Sequence, residues 1–298
     1  MNLLHAAILG LVEGITEFLP VSSTGHLLIA SALLGLDYPP ETKRAVDAFN
    51  IVIQGGAILA VLGLYWPRVV QMFRGLTARD AIGLRLLVNL IIAFVPAAIL
   101  GLLLNDWIES HLFFPIPVMA ALALGGVAMI VIGRWQRRHF RGDEHAEPTD
   151  ALAYVDMEHL TWRRALIIGL LQCVAMWPGA SRSMMTIVGG MLVGLKPRQA
   201  AEFSFLLGLP TLGAACVYSA LKNFTGDHAN MLQSLGIGPI VLGIVVATIS
   251  AAIAIRWLVG FLTRHGLVLF GWYRIALCAV LGVLIWLDVV NIAPAATR

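Results

Sequence analysis

The chain has 298 residues, of which 59% are hydrophobic and 12% are charged, with a formal net charge of +3. Soluble domains carry about 25% charged residues, so this composition excludes a soluble enzyme and predicts an integral membrane protein with no nucleic-acid partner. The three cysteines all lie in apolar stretches, which argues against a disulfide framework.

Two kinds of apolar segment follow one another along the chain. A membrane-spanning helix needs about 20 apolar residues. Segments 3–36 and 163–196 are apolar at both ends and polar in the middle, where Pro20 and Pro178-Gly179 would break a helix. We expect each to form a re-entrant hairpin of two half-length helices, because broken backbone at membrane depth needs protein or a wet cavity around it. Full spans are predicted at 47–66, 82–104, 114–133, 201–221, 236–255 and 268–287.

Basic residues predict the orientation of these segments. Arginines concentrate in 67–81 and 134–164, which the positive-inside rule places in the cytoplasm. A short acidic turn with Asp106 and Glu109 lies between them and should be external. By the same alternation, hairpin 3–36 opens from outside, hairpin 163–196 opens from inside, and the C-terminus is external.

The two halves of the chain resemble each other, and opposite entry of their hairpins predicts an inverted-topology repeat. We expect one membrane domain, 1–298, with repeat one at about 1–135, a cytoplasmic linker at about 136–160 and repeat two at about 161–298. The two hairpin tips would then meet near the bilayer midplane. The matching runs are Gly10-Leu11-Val12-Glu13 with Gly169-Leu170-Leu171-Gln172, Pro20-Val21-Ser22-Ser23 with Pro178-Gly179-Ala180-Ser181, and Phe49-Asn50-Ile51 with Phe203-Ser204-Phe205.

The first hairpin carries two carboxylates that are candidates for chemistry. Glu13 and Glu17 are four residues apart and lie on one helix face. Together they could hold a divalent cation, or one of them could act as a base toward water. The alternative is a pair neutralised by an arginine or by protonation. Acidic residues at membrane depth favour a functional site.

Hydroxyls and an imidazole follow the carboxylates. Ser22, Ser23 and Thr24 stand beside the Pro20 turn, where a helix N-terminus could attract an anion; ordinary capping of the helix is the alternative. His26 comes next and is a candidate general acid, base or nucleophile.

The second hairpin supplies a cation. Arg182 is expensive in an apolar segment unless an anion faces it, and its planar guanidinium matches phosphate in a bidentate manner. Ser181, Ser183 and Thr186 add hydrogen-bond donors. A structural ion pair of Arg182 with Glu13 or Glu17 is the alternative, and it is compatible with anion binding.

Two further polar positions lie in the spans. Gln54, in span 47–66, is expected to support the phosphate-binding residues. Arg274 follows Tyr273 near the start of the last span, and we expect its side chain to reach the cytoplasmic interface.

Both polar motifs together resemble the undecaprenyl-diphosphatase family of the bacitracin-resistance type. The first motif is Glu13-x-x-x-Glu17 followed by Pro20-Val21-Ser22-Ser23-Thr24-Gly25-His26, and the second is Pro178-Gly179-x-Ser181-Arg182-Ser183-x-x-Thr186. The resemblance implies hydrolysis of undecaprenyl diphosphate to undecaprenyl phosphate and inorganic phosphate, which recycles the lipid carrier of cell-wall synthesis. Bacitracin would act on this substrate.

The resemblance also implies roles for individual residues. Glu13 and Glu17 would bind a divalent cation, Mg²⁺ or Ca²⁺, or activate water. Ser23 and His26 would lie at the reacting phosphate, and Arg182 would hold the diphosphate. The site would open to the external side of the bacterial plasma membrane. The nucleophile (water, Ser23 or His26) and the choice between a monomer and a homodimer stay open.

A transporter is the rival function. Inverted repeats with broken helices are typical of transporters, and such a site could carry a polyprenyl phosphate across the bilayer.

Overall fold

The computed structural model describes residues 1–36, 40–140, 154–225, 234–290 and 292, and within these ranges the chain is helical with no strand. A single 3₁₀ turn, Met157–His159, precedes the second half. The helices are α1 Leu3–Thr16, α2 Ser23–Leu33, α3 Pro40–Leu64, α4 Trp66–Leu76, α5 Ala81–Leu112, α6 Pro115–Phe140, α7 Trp162–Val174, α8 Arg182–Leu192, α9 Pro197–Thr225, α10 Ile237–His265 and α11 Val268–Trp286.

Six helices in the described ranges are long and apolar enough to cross a membrane, which confirms the six predicted spans. They are α3, α5, α6, α9, α10 and α11. Several run beyond the predicted limits, because helical hydrogen bonding does not stop where the apolar residues end. The predicted turn at Asp106 and Glu109 was therefore wrong, since α5 continues to Leu112 and includes both residues.

The helices are interrupted at Pro20 and at Pro178-Gly179, as the sequence predicted. α1 and α2 have 14 and 11 residues, and α7 and α8 have 13 and 11. Ser22 and Ser181 precede α2 and α8 with φ values of 75° and 73°, and their side chains accept hydrogen bonds from the backbone N–H groups of Gly25 and Met184. Non-glycine residues seldom adopt such φ values, and they persist where the surroundings impose them.

The short helices form two pairs, α1–α2 and α7–α8. The first helix of each pair packs on a long helix of the other half of the chain. α1 lies against α10, and α7 lies against α5. Glycines make both approaches possible, because a Cβ on Gly10 would lie 2.6 Å from the Gly243 carbonyl oxygen and one on Gly169 would lie 2.5 Å from that of Ala93. Small residues of this kind allow close packing of helices in membranes.

Replacement of Gly10 by alanine should lower stability, because the new methyl group meets the rigid backbone of α10. We expect a loss of about 1–3 kcal/mol, measured as a lower melting temperature in detergent. Gly260→Ala is the matched control, since nothing lies within 4 Å of a Cβ at that position. Equal melting temperatures for the two variants would contradict this account of the α1–α10 contact.

The predicted linker is only partly described. α6 continues to Phe140, so the start of the 136–160 segment is helical, and 141–153 lie outside the described residues. The end of the linker is fixed by tertiary contacts. Arg68 of α4 bonds Glu158 and also Glu202 of α9, at 3.3 Å and 2.9 Å, and the Asn89 amide donates to the Leu160 carbonyl oxygen at 2.8 Å.

Candidate active site

We call the helix pairs α1–α2 and α7–α8, each with the turn between its helices, the two broken segments. The centre of the candidate site is an ion pair between them. Nη2 of Arg182 donates to Oε1 of Glu17 at 2.9 Å, and the side chains are 10% and 6% exposed. The predicted proximity of these two residues, 165 positions apart in the chain, is confirmed. Since a buried charge needs a partner, the pair explains how both ionisable groups are accommodated between apolar helices.

Three neighbours hold the Arg182 guanidinium in place. Its Nη1 donates to the Ser204 carbonyl oxygen at 3.0 Å, and its Cζ lies 5.4 Å from the centre of the Phe18 ring. Gly208 leaves room for the group, because a Cβ there would lie 3.0 Å from Nη1. Nε is buried and has no hydrogen-bond partner among the described residues. The guanidinium is thus held in place while its Nε–H and the second N–H of each Nη remain for a ligand.

The carboxylates share one region but differ in their contacts. Oε2 of Glu17 accepts a hydrogen bond from the Ser23 hydroxyl at 2.8 Å. Glu13 lies one turn earlier on α1 and is 0% exposed. Neither of its carboxylate oxygens has a hydrogen-bond partner in the described parts of the chain. Buried polar atoms are nearly always satisfied, so the two Glu13 oxygens beside Glu17 have unused capacity to bind a ligand.

Two helix N-termini meet at the Glu17 carboxylate. Ser23 is the first residue of α2 and Arg182 is the first residue of α8, and both side chains bond Glu17. The Ser183 hydroxyl ties the two broken segments together by donating to the Leu19 carbonyl oxygen at 2.8 Å. Helix N-termini carry partial positive charge and free N–H groups, so this arrangement favours an anion.

Among the other predicted phosphate-binding residues, Ser181 and Thr186 are already engaged within the protein. Ser181 caps α8, and its hydroxyl lies 3.2 Å from that of Ser183. Thr186 is fully buried, where its hydroxyl bonds the Arg182 carbonyl oxygen and the Ser204 hydroxyl. Thr24 is half-buried in the first turn of α2, and Gln54 is half-buried in α3. Direct contact with phosphate therefore stays a prediction for these residues.

His26 faces a partner that the sequence did not indicate. Its Nδ1 lies 2.7 Å from the Ser22 carbonyl oxygen, and its Nε2 lies 2.6 Å from the hydroxyl of Tyr273 on α11. No hydrogen bond joins His26 to Glu17 or Arg182. The predicted position of His26 at the reacting phosphate therefore stays a prediction.

The expectation for Arg274 was wrong. Its side chain is 0% exposed and does not reach the cytoplasmic interface. The guanidinium donates to four backbone carbonyl oxygens, those of Ala121, Leu122, Gly179 and Ala180, at 2.7–3.3 Å. Gly125 of α6 makes space for it, since a Cβ there would lie 2.5 Å from Nη2. Arg274 therefore supports the turn that leads into Ser181 and Arg182.

The donor set fits a cation that shares its coordination with the substrate. Glu13 and Glu17 offer four carboxylate oxygens, two of them orphaned. The described residues contain no group of three or more His, Cys, Asp or Glu side chains that could hold a metal alone. Mg²⁺ is usually bound by one or two carboxylates together with water and phosphate oxygens, so two glutamates suffice for that mode.

Comparison with known proteins identifies the family of this chain. A family model described as bacitracin resistance protein BacA matches residues 6–280. An undecaprenyl-diphosphatase of Sorangium cellulosum is 46% identical over 282 residues, covering 95% of this chain and 85% of that protein. Undecaprenyl-diphosphatase 2 of Rhodospirillum rubrum is 44% identical over 292 residues, covering 97% of each chain. The matched region includes both broken segments, and the chain belongs to the bacitracin resistance protein BacA family.

Proposed function

We propose that this protein is a membrane-embedded phosphatase that hydrolyses undecaprenyl diphosphate to undecaprenyl phosphate and inorganic phosphate. The buried Arg182–Glu17 pair at the meeting point of two helix N-termini carries the proposal. Relatives named undecaprenyl-diphosphatase, 46% and 44% identical over nearly the whole chain, support the same reaction. Hydrolysis would return the lipid carrier to cell-wall synthesis.

The setting proposed for the site is the outer half of a bacterial plasma membrane. The basic segments around α4 and the end of α6 would face the cytoplasm. The lipid tail would lie among the apolar helices, and the diphosphate would reach the tips of the broken segments. A polyprenyl diphosphate suits such a site, because its tail matches the apolar helices and its diphosphate matches the buried Arg182 guanidinium.

We further propose that α1–α2 and α7–α8 are re-entrant hairpins related by an inverted repeat. Exchange of the halves maps the α1–α10 contact onto the α7–α5 contact, and both contacts are built on glycine. Ser22 and Ser181 occupy equivalent positions, with nearly equal φ values and the same capping bond. The repeat thus aligns Ser22, not Ser23, with Ser181.

A divalent cation is proposed to bind Glu13 and Glu17. The orphaned oxygens of Glu13 support this assignment, and the two carboxylates would carry the ligand charge that the cation needs. Bound there, Mg²⁺ or Ca²⁺ would neutralise charge on the diphosphate as a Lewis acid.

The residues of the site suggest how hydrolysis proceeds. Arg182 would exchange Glu17 for phosphate oxygens and stabilise the charge that develops on them, while the N-termini of α2 and α8 add backbone donors. Attack on the terminal phosphorus forms a new P–O bond and breaks the bond to the bridging oxygen, which leaves as undecaprenyl phosphate. In one route, Glu17 or His26 takes a proton from the attacking water. In the other, Ser23 or His26 attacks, His26 through a P–N bond in place of P–O, and a second step in which water attacks the phospho-enzyme releases inorganic phosphate and frees the side chain.

Purified protein in detergent should release inorganic phosphate from undecaprenyl diphosphate, and the release should depend on a divalent cation. Detergent removes the two-sided membrane that transport requires, so phosphate release there assigns hydrolysis. Movement of undecaprenyl phosphate across vesicles by a Glu17→Gln variant that releases no phosphate would instead assign transport. Labelled phosphate trapped on the protein after a rapid quench would identify a side-chain nucleophile, and its absence would identify water.

A further inference from the structure

The hydrogen bonds of His26 define which ring nitrogen carries the proton. The Ser22 carbonyl oxygen, 2.7 Å from Nδ1, can only accept, so Nδ1 is the donor. In the neutral ring Nε2 is then an acceptor, and the Tyr273 hydroxyl at 2.6 Å donates to it. The Tyr273 hydroxyl therefore engages the lone pair through which His26 could act as a base or nucleophile.

Tyr273 is held in place by its neighbour in sequence. Arg274 joins α11 to backbone carbonyl groups of α6 and of the turn that precedes Ser181, and its side chain is fully buried. These bonds fix the rotation and the height of α11 beside the second broken segment. Tyr273, which is 48% exposed, consequently projects from a rigid element toward the first broken segment.

We propose that Tyr273 is a positioning residue for His26, and that α11 aligns the two halves of the site through Tyr273 and Arg274. This inference rests on the proposed phosphatase function and extends it to a helix outside both sequence motifs. The Ser22 carbonyl oxygen sets the tautomer of His26, and the phenol of Tyr273 fixes the plane of the imidazole ring. Nε2 therefore keeps a constant direction until the substrate displaces the Tyr273 hydroxyl from its lone pair. The Tyr273 hydroxyl itself makes no bond to the phosphate.

Tyr273→Phe removes only the hydroxyl group and keeps the ring that packs beside His26. We expect kcat to fall about 10-fold with KM within about twofold, because alignment of a catalytic group affects the chemical step rather than binding. We also expect diethyl pyrocarbonate to modify His26 several-fold faster than in the wild type, since the lone pair of Nε2 is no longer engaged. Peptide mass spectrometry measures modification of His26 separately from that of the other seven histidines.

Tyr218→Phe is the matched control, because Tyr218 is 50% exposed on α9 and lies outside the site. It should leave both measurements unchanged. A Tyr273→Phe variant with wild-type kcat, or with wild-type modification of His26, would overturn the proposal. Failure of the wild type to release phosphate would refute the proposed function instead, and the modification rates alone would then decide whether Tyr273 holds His26.

Discussion

Replacement of Arg182 by alanine is expected to reduce kcat/KM for undecaprenyl diphosphate by at least about 10³-fold, the range found for arginines that stabilise transferred phosphate. The guanidinium is nearly buried and is held by Glu17, Ser204 and Phe18, so no other side chain can take its place. Lysine should restore little activity, because an ammonium group cannot contact two phosphate oxygens in one plane. Phosphate release by purified variants is the measurement.

Loss of the ion pair must be separated from loss of catalysis. Arg182→Ala leaves the Glu17 carboxylate buried without the guanidinium that neutralises it. This should lower the free energy of unfolding by about 3–5 kcal/mol and lower the melting temperature. A second change, Glu17→Gln, removes the unpaired charge and should recover part of that stability but none of the activity. Arg256→Ala, on the exposed surface of α10, is the control for a lost arginine. Near-wild-type turnover in Arg182→Ala would remove this residue from the mechanism.

Glu13→Gln is expected to raise the cation concentration for half-maximal activity on the order of 100-fold, because the charge of the ligands largely sets affinity for hard cations. Glutamine keeps the size of the side chain and one oxygen, so the α1 helix should remain intact. Cation binding can also be measured without substrate turnover. Added Mg²⁺ should raise the melting temperature of the wild type and should have little effect on the variant.

Glu202→Gln is the matched control for this experiment. Glu202 is also a largely buried carboxylate paired with an arginine, Arg68, but it lies in the contact between α4 and α9. Its replacement should leave the dependence on Mg²⁺ unchanged. Equal cation dependence of Glu13→Gln and the wild type would show that Glu13 holds no cation, and Glu13 would then require a partner of another kind.

The sequence predicted the spans and the central ion pair for a simple physical reason. Long apolar stretches have one favourable environment, and a charge inside such a stretch needs an opposite charge nearby. Glu13, Glu17 and Arg182 are the charges in the middle of the two interrupted segments, so their proximity was predicted, with a pair of Arg182 and Glu13 or Glu17 as the alternative to anion binding. The structure selects Glu17. Helix ends were predicted less well, as α5 and α6 show, because hydropathy marks the membrane core and not the length of the helix.

The roles of α11 could not be read in the same way. Tyr273 and His26 are 247 positions apart, and neither residue type demands the other. Arg274 lies six residues into the last predicted span, where an arginine can either reach the interface or be buried among carbonyl groups. The sequence does not distinguish these outcomes, because the acceptors of Arg274 are backbone carbonyl oxygens, which every residue type has.

The packing of α1 on α10 also constrains biosynthesis. When α1 leaves the ribosome, the helix that receives Gly10 lies more than 200 residues downstream and has not yet been made. Glu13 and Glu17 are likewise made before Arg182 exists to pair with Glu17. The ribosome must therefore complete α10 before α1 can take its final position, and until then α1 needs a temporary host at the translocon or in the headgroup layer.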